Sequence, residues 1–140
     1  MKLYILDTNI AGFAMQANPS VLRHIVQLPD DAEVVTTVIT VGEAIGGWLP
    51  LCRRATDGAA RAQAYLRLQQ AFDFYRAKVC LPFDDTAARI FDQLRAQKLR
   101  VGTNDLAIAS ITLAADGVLV TRNAKDFERV PGLQWEDWTQ

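Results

Sequence analysis

The sequence predicts an α/β fold: a central, mainly parallel sheet of four to five strands with helices on both faces. Two observations carry that prediction. Short apolar, β-branched runs alternate with longer segments of helical period along all 140 residues. Strands that alternate with helices imply right-handed crossovers, which lay helices over both sides of a parallel sheet. Length adds a third constraint, since it fits one domain spanning residues 1–140. A domain of this size buries roughly 68% of its unfolded surface and needs no staple.

The elements follow in order. Leu3-Tyr4-Ile5-Leu6 is an apolar strand that ends at Asp7-Thr8-Asn9. A short apolar helix runs from Ile10 to Met15. Asn18-Pro19-Ser20 then turns the chain and starts a helix over Val21–Leu28, which Pro29-Asp30-Asp31 breaks. Val34-Val35-Thr36-Thr37 reads as a second strand, buried on both faces. A helix over Val38–Leu49 is expected to close at Pro50, because proline lacks the amide a helix interior needs. The long helix Ala59–Ala77 carries Tyr65, Leu68, Phe72 and Tyr75 at i, i+3, i+7 and i+10, a single apolar seam. Val79–Pro82 is a short third strand and Thr86–Lys98 the next helix. Gly102-Thr103-Asn104 opens a helix that reaches Ala115, followed by a fourth strand at Val118–Thr121. A turn of helix near Lys125-Asp126-Phe127 and a fifth strand at Leu133–Trp135 complete the chain.

Composition excludes several classes. Half the residues are hydrophobic and 22% are charged, a globular rather than a disordered balance. Cys52 and Cys80 have neither zinc-knuckle nor redox spacing and read as two buried small hydrophobes. Met1-Lys2 runs straight into the first strand, so no signal peptide is expected, and no apolar run approaches the ~18 residues of a membrane span. The cytoplasm is the expected location. A net charge of −1 argues against a nucleic-acid partner. However, residues 51–78 hold six basic and two acidic residues, a local excess of +4. The acids elsewhere must therefore be concentrated.

Four of them follow a strand or open a helix, on the edge where open parallel sheets bind ligands. Asp7 is either the cap of the next helix or a carboxylate fixed at the end of a central strand, with Thr8 and Asn9 beside it. Glu43 has two readings as well. Thr40-Val41-Gly42-Glu43 fits a capping box, but with Thr37 as N-cap Glu43 falls in the second turn and has no capping role. There it would lie among Val41, Ala44 and Ile45 with no basic residue within one turn. Asp105, in Gly102-Thr103-Asn104-Asp105, is favoured at a helix start by the dipole whether or not it has a function. Asp126, after Asn123, is an acid in a loop, where solvated charges are ordinary. Gathered on one edge, the four carboxylates would repel one another and raise their pKa values unless a cation sat among them. Oxygen ligands in a loose cluster suit Mg²⁺ or Mn²⁺ rather than zinc. The single histidine, His24, is expected on the surface of an early helix, away from this edge. With no histidine or reactive cysteine at the site, a metal-activated water is the chemistry that remains.

These residues resemble a known family. Leu6-Asp7-Thr8-Asn9, Thr37–Gly47 around Glu43, Gly102 to Ala109, and Val120-Thr121-Arg122-Asn123 through Leu133 match, in order and spacing, the PIN domains. The match is specifically to the VapC toxins of bacterial VapBC toxin–antitoxin pairs, and it covers essentially the whole chain. The resemblance implies a three-layer α/β/α sandwich and a Mg²⁺- or Mn²⁺-dependent endoribonuclease acting on RNA of the tRNA or ribosomal class. By analogy with related metallonucleases, the products would carry a 5′-phosphate and a 3′-hydroxyl. It also implies a cognate VapB-type antitoxin and toxin homodimers. Carried over by position, Asp7, Glu43 and Asp105 are the core metal carboxylates, Asn123 and Asp126 share the fourth place, and Thr8, Asn9 and Thr103 are supporting residues. Gly42, inside the Glu43 helix, departs from a good helix sequence at roughly 1 kcal/mol; close packing is the one reason the sequence suggests.

Two other classes were weighed. A haloacid-dehalogenase-type phosphatase needs a second acid two residues after the first, where this chain has Asn9. A catalytically silent PIN-fold module binding RNA or protein is disfavoured by the intact acids. An antitoxin reading frame just upstream would discriminate. For a partner surface, Trp48, Leu49 and Leu51 crowd the expected helix end at Pro50, opposite the seam of Tyr65, Leu68 and Phe72. Either these helices pack on each other or they leave a groove for an amphipathic antitoxin segment.

Overall fold

The computed structural model describes residues 1–140. Its five strands are β1 (Lys2–Leu6), β2 (Ala32–Thr37), β3 (Cys80–Leu81), β4 (Val118–Val120) and β5 (Gln134–Glu136). They form one sheet in the order β3-β2-β1-β4-β5, parallel at every pairing. Seven helices join them: α1 (Thr8–Met15), α2 (Pro19–Val26), α3 (Val38–Arg54), α4 (Gly58–Arg76), α5 (Asp85–Ala96), α6 (Thr103–Ala114) and α7 (Ala124–Phe127).

Side-chain alternation along the central strands builds two cores, because successive residues of a strand point to opposite faces. Tyr4, Leu6, Val118 and Val120 join Ile10, Ala11, Val21, Ala71 and Tyr75 on one face, under the first four helices. Ile5, Val35 and Leu119 join Leu94, Leu106, Ile108, Ala109 and Phe127 on the other, under α5 to α7. The result is three layers. Gly117 permits the entry to β4: a Cβ there would lie 2.3 Å from Ile5 Cδ1 and 3.0 Å from the Leu3 carbonyl oxygen, too close for any side chain.

Several expectations are corrected. Pro50 does not close α3, which continues to Arg54. Packing explains this: α4 lies along α3, and Cys52, beyond the proline, is completely buried. Burial of that last turn outweighs the hydrogen bond that Pro50 removes. Only Cys52 is a buried thiol, whereas Cys80 is exposed. His24 is half-buried rather than on the surface; its ring stacks on Trp138 at 5.7 Å, and Nδ1 lies 2.9 Å from the Ser20 carbonyl oxygen.

Trp138 itself had no role in the sequence pattern, yet it is 1% exposed and packs on Tyr4 at 5.5 Å. Its Nε1 donates to Glu136 at 3.0 Å, and its carbonyl accepts from the Ser20 hydroxyl at 2.8 Å, which ties the C-terminal segment to α2. Trp138→Ala should therefore lower unfolding free energy by about 3–5 kcal/mol. Urea unfolding measures this, and a loss under about 1 kcal/mol would mean the C-terminal segment is not part of the core.

The strand order reverses at β1, between β2 and β4. A crevice outside the carboxyl ends of these strands is the favoured ligand position in such sheets. No helix is long and apolar enough to cross a membrane.

Candidate active site at the carboxyl edge of the sheet

Asp7 is the first residue beyond β1 and is 6% exposed. Its amide donates to the Val120 carbonyl at 3.0 Å, extending the β1–β4 pairing to the sheet's edge. Both readings of this residue hold together: Asp7 is the N-cap of α1, accepting from the Ile10 amide at 2.9 Å, and it is also a buried acid at the switch point. Burial pushes its carboxyl up, and the charge of Glu43 adds to the rise. Hydrogen bonds from the Thr121 hydroxyl and the Ile10 and Asn9 amides act in the opposite direction.

Glu43 is released from capping by the residue that starts its helix. Thr37 is the N-cap of α3, its hydroxyl accepting from the Thr40 amide at 3.2 Å, so no capping box forms. Glu43 is held from two other elements instead. The Thr8 hydroxyl donates to Oε1 at 2.5 Å, and the Asn104 amide of α6 donates to Oε2 at 3.3 Å. Val38, Ile39, Gly42, Glu43 and Asn104 line a depression of about 320 Å³. Close packing does not explain Gly42: a Cβ there meets nothing within 4 Å. The glycine lies on the wall of this depression, next to the acid.

Asp105 is the third residue of α6, whose N-cap, Gly102, makes no side-chain capping bond. Its carboxyl is pushed up first by burial, then by the charges of Asp7, Glu43 and Asp126. The four acids therefore share one electrostatic field, although no three His, Cys, Asp or Glu side chains close on a common point as a chelating group. Asp126 is paired with its neighbour: Asn123 Nδ2 donates to Oδ2 at 2.7 Å, while Arg129 lies 4.0 Å from Oδ1. Thr121 steadies that turn by accepting from the Asn123 amide at 2.9 Å.

Thr8 and Asn123 thus contact the acids directly, whereas Asn9 contributes only its backbone amide and Thr103 makes no side-chain hydrogen bond. Sequence reasoning missed Thr40, Asn104 and Thr121. The available signals were the i, i+3 spacing of Thr40 and Glu43 and the adjacency of Asn104 to Asp105.

The expected partner surface is partly corrected. Tyr65, Leu68 and Phe72 line an open groove of about 480 Å³ with Ile45 and Gln69, and Phe72 is 52% exposed. The groove continues past Phe72 along Val41, Ile45, Tyr75, Arg76 and Cys80. At this inner end the Tyr75 hydroxyl is pushed up by burial and by the charge of Glu43, so the groove reaches the field of the acidic site. Trp48 does not line it. It sits over the core and flanks a separate depression with Met15, Arg67 and Phe74, with Arg67 5.9 Å from its ring. Leu49 and Leu51 line neither space. Ile45 and Trp48 therefore meet different residues of α4 and line separate depressions.

A parallel sheet that brings acids from the end of β1, from α3, from α6 and from α7, where Asp126 lies in a helical turn rather than the expected loop, to one oxygen-rich edge defines a class of domain. The PIN-domain family model matches residues 4–133. Ribonuclease VapC1 of Haemophilus influenzae (strain R2866) is 33% identical over 140 residues, covering 99% of each chain. The tRNA(fMet)-specific endonuclease VapC of Salmonella typhimurium is 30% identical over 142 residues, also covering 99% of each. The solved structure of VapBC-1 from nontypeable Haemophilus influenzae superposes with a TM-score of 0.78 at 28% identity, covering 99% of both chains. The chain belongs to the PIN-domain family, within its VapC ribonuclease branch.

Proposed function

We propose that the chain is the toxin of a VapBC-type pair, an endoribonuclease that cleaves RNA phosphodiester bonds with Mg²⁺ or Mn²⁺. The observation that carries this reading is the gathering of Asp7, Glu43, Asp105 and Asp126 on one edge, where burial and then the charges of the other three raise the Asp105 carboxyl. A divalent cation relieves that repulsion, and an all-oxygen donor set with no histidine fits a hard cation. Asp7, Glu43 and Asp105 would hold it, with Asp126 completing the set. Such a cation supplies Lewis acidity, lowering the pKa of a water and offsetting charge on the phosphate oxygens. The protein's own residues do the positioning. Thr8 and Asn104 fix the two oxygens of Glu43, the Ile10 amide holds Asp7, and Asn123 turns Asp126.

Substrate and partners follow the relatives. The Salmonella relative is named as specific for tRNA(fMet), and a tRNA or ribosomal RNA target fits this chain. The solved VapBC-1 relative supports a cognate antitoxin, which the α3–α4 groove can receive, and a toxin homodimer in a cytoplasmic setting completes the reading. The test is cleavage of bulk tRNA by the purified protein. Activity should vanish in EDTA and return on adding Mg²⁺ or Mn²⁺ in excess. Mn²⁺ at 100 times its Kd should also stabilise the fold by about 2.7 kcal/mol. Cleavage that persists undiminished in chelator overturns the metal mechanism.

A further inference from the structure

The hydroxyl of Thr40 has no role in the reading above. Thr40 is completely buried, one turn before Glu43 on α3. Its amide is already satisfied by Thr37, and its Oγ1 lies 3.2 Å from Thr8 Oγ1. Proton counting gives this contact a direction. A threonine hydroxyl has one proton, and Thr8 directs its proton to Glu43, which accepts as a carboxylate. Thr8 can then only accept from Thr40, so the order is Thr40 to Thr8 to Glu43.

We infer that Thr40 is a positioning residue for Glu43, acting through Thr8. The relay fixes the Thr8 hydroxyl in the rotamer that donates to Glu43, and so fixes the carboxylate relative to Asp7 and Asp105. A hydroxyl chain ending on a charged acceptor strengthens each member. Without it, the Thr8 hydroxyl is free to rotate towards water and Glu43 keeps only the longer bond from Asn104. The inference rests on the acidic edge being the nuclease site.

Valine and serine at position 40 separate the hydroxyl from the packing. Thr40→Val keeps the shape and removes the proton donor, whereas Thr40→Ser keeps the donor. On bulk tRNA with Mn²⁺, Thr40→Val should cut cleavage by about 10–100-fold, as expected for loss of a group that orients a metal-binding carboxylate. Its Mn²⁺-induced rise in melting temperature should shrink in parallel, and Thr40→Ser should restore both. Cleavage by Thr40→Val within about 3-fold of wild type, well short of that range, overturns the inference. So does a Thr40→Ser variant as impaired as valine, which would assign the position to packing. If the unaltered protein neither cleaves nor responds to Mn²⁺, the nuclease reading fails, and the relay is judged on melting temperature alone. Non-additive effects of Thr40→Val and Glu43→Gln then support the relay, and additive ones overturn it.

Discussion

Asp105→Asn should abolish RNA cleavage and at the same time raise the melting temperature of the protein without added metal. The two effects have one cause. Asp105 is half-buried and faces the charges of Asp7, Glu43 and Asp126, so its ionised form is unfavourable in the folded chain. Its pKa is raised from an ordinary 3.8, which means the folded state binds the proton more tightly than the unfolded state. Stability from this group is therefore greatest at low pH and falls as pH rises from the unfolded value through the raised folded value. At neutral pH the whole penalty is present, and asparagine removes it. The gain is read as a higher melting temperature at neutral pH. That gain over wild type should narrow as the pH falls below 3.8, where the carboxyl is protonated in both the folded and the unfolded chain.

Activity moves the other way. On the proposed metal mechanism, losing one of the carboxylates should cost more than losing a group that merely orients one, so the fall in cleavage should exceed about 100-fold. Asp7→Asn and Glu43→Gln should also abolish cleavage without lowering the melting temperature, because asparagine still caps α1 as well as aspartate and Glu43 caps nothing. Asp126→Asn should be milder if Asn123, which donates its side-chain amide to Asp126, shares the fourth place with it. The measurements are melting curves at pH 4 and pH 7.5 and initial cleavage rates with Mn²⁺. A variant that melts lower and still cleaves would place these acids in the fold rather than in the chemistry.

Phe72→Ala should weaken binding of the cognate antitoxin by at least about 30-fold and leave the isolated chain's melting temperature unchanged. The factor corresponds to 2 kcal/mol, the threshold for an aromatic hot spot in an interface. Phe72 stands 52% exposed at the junction where the outer groove, lined by Tyr65 and Leu68, meets the inner one, lined by Val41 and Tyr75. A side chain so exposed adds little to the fold, while an amphipathic segment laid along the groove would bury it. Trp48→Ala is the contrasting variant. Trp48 is packed over the core and covered by Arg67, so its removal should lower the melting temperature and spare the affinity. Titration of each variant with antitoxin, beside its melting curve, separates the two. Unchanged affinity for Phe72→Ala removes the groove as the docking site.

The carboxylates were legible one by one because each sits at a boundary that local rules define. Asp7 ends an apolar run, Asp105 opens a helix, and Asp126 follows a strand. Their assembly on one edge follows from alternating strands and helices, since parallel crossovers bring every strand's carboxyl end to the same side. The long-range contacts were not legible. Thr8 and Glu43 are separated by 35 positions and Asn104 and Glu43 by 61, and no local pattern predicts which polar side chain meets which acid across such distances.

The sequence by itself determined the elements, their parallel arrangement and the identity of the four acids, because strand and helix periods and helix-boundary residues act over a few positions. Tertiary structure alone decided three things. It carried α3 through Pro50, because burying Cys52 outweighed the missing hydrogen bond. It split the expected partner surface, because Ile45 and Trp48 meet different residues of α4 and line separate depressions. It chose Thr37 over Thr40 as the cap of α3, which freed the buried Thr40 hydroxyl to support Thr8 and, through it, Glu43. In each case the outcome depends on packing between segments distant in the chain, and that energy has no counterpart in the local pattern.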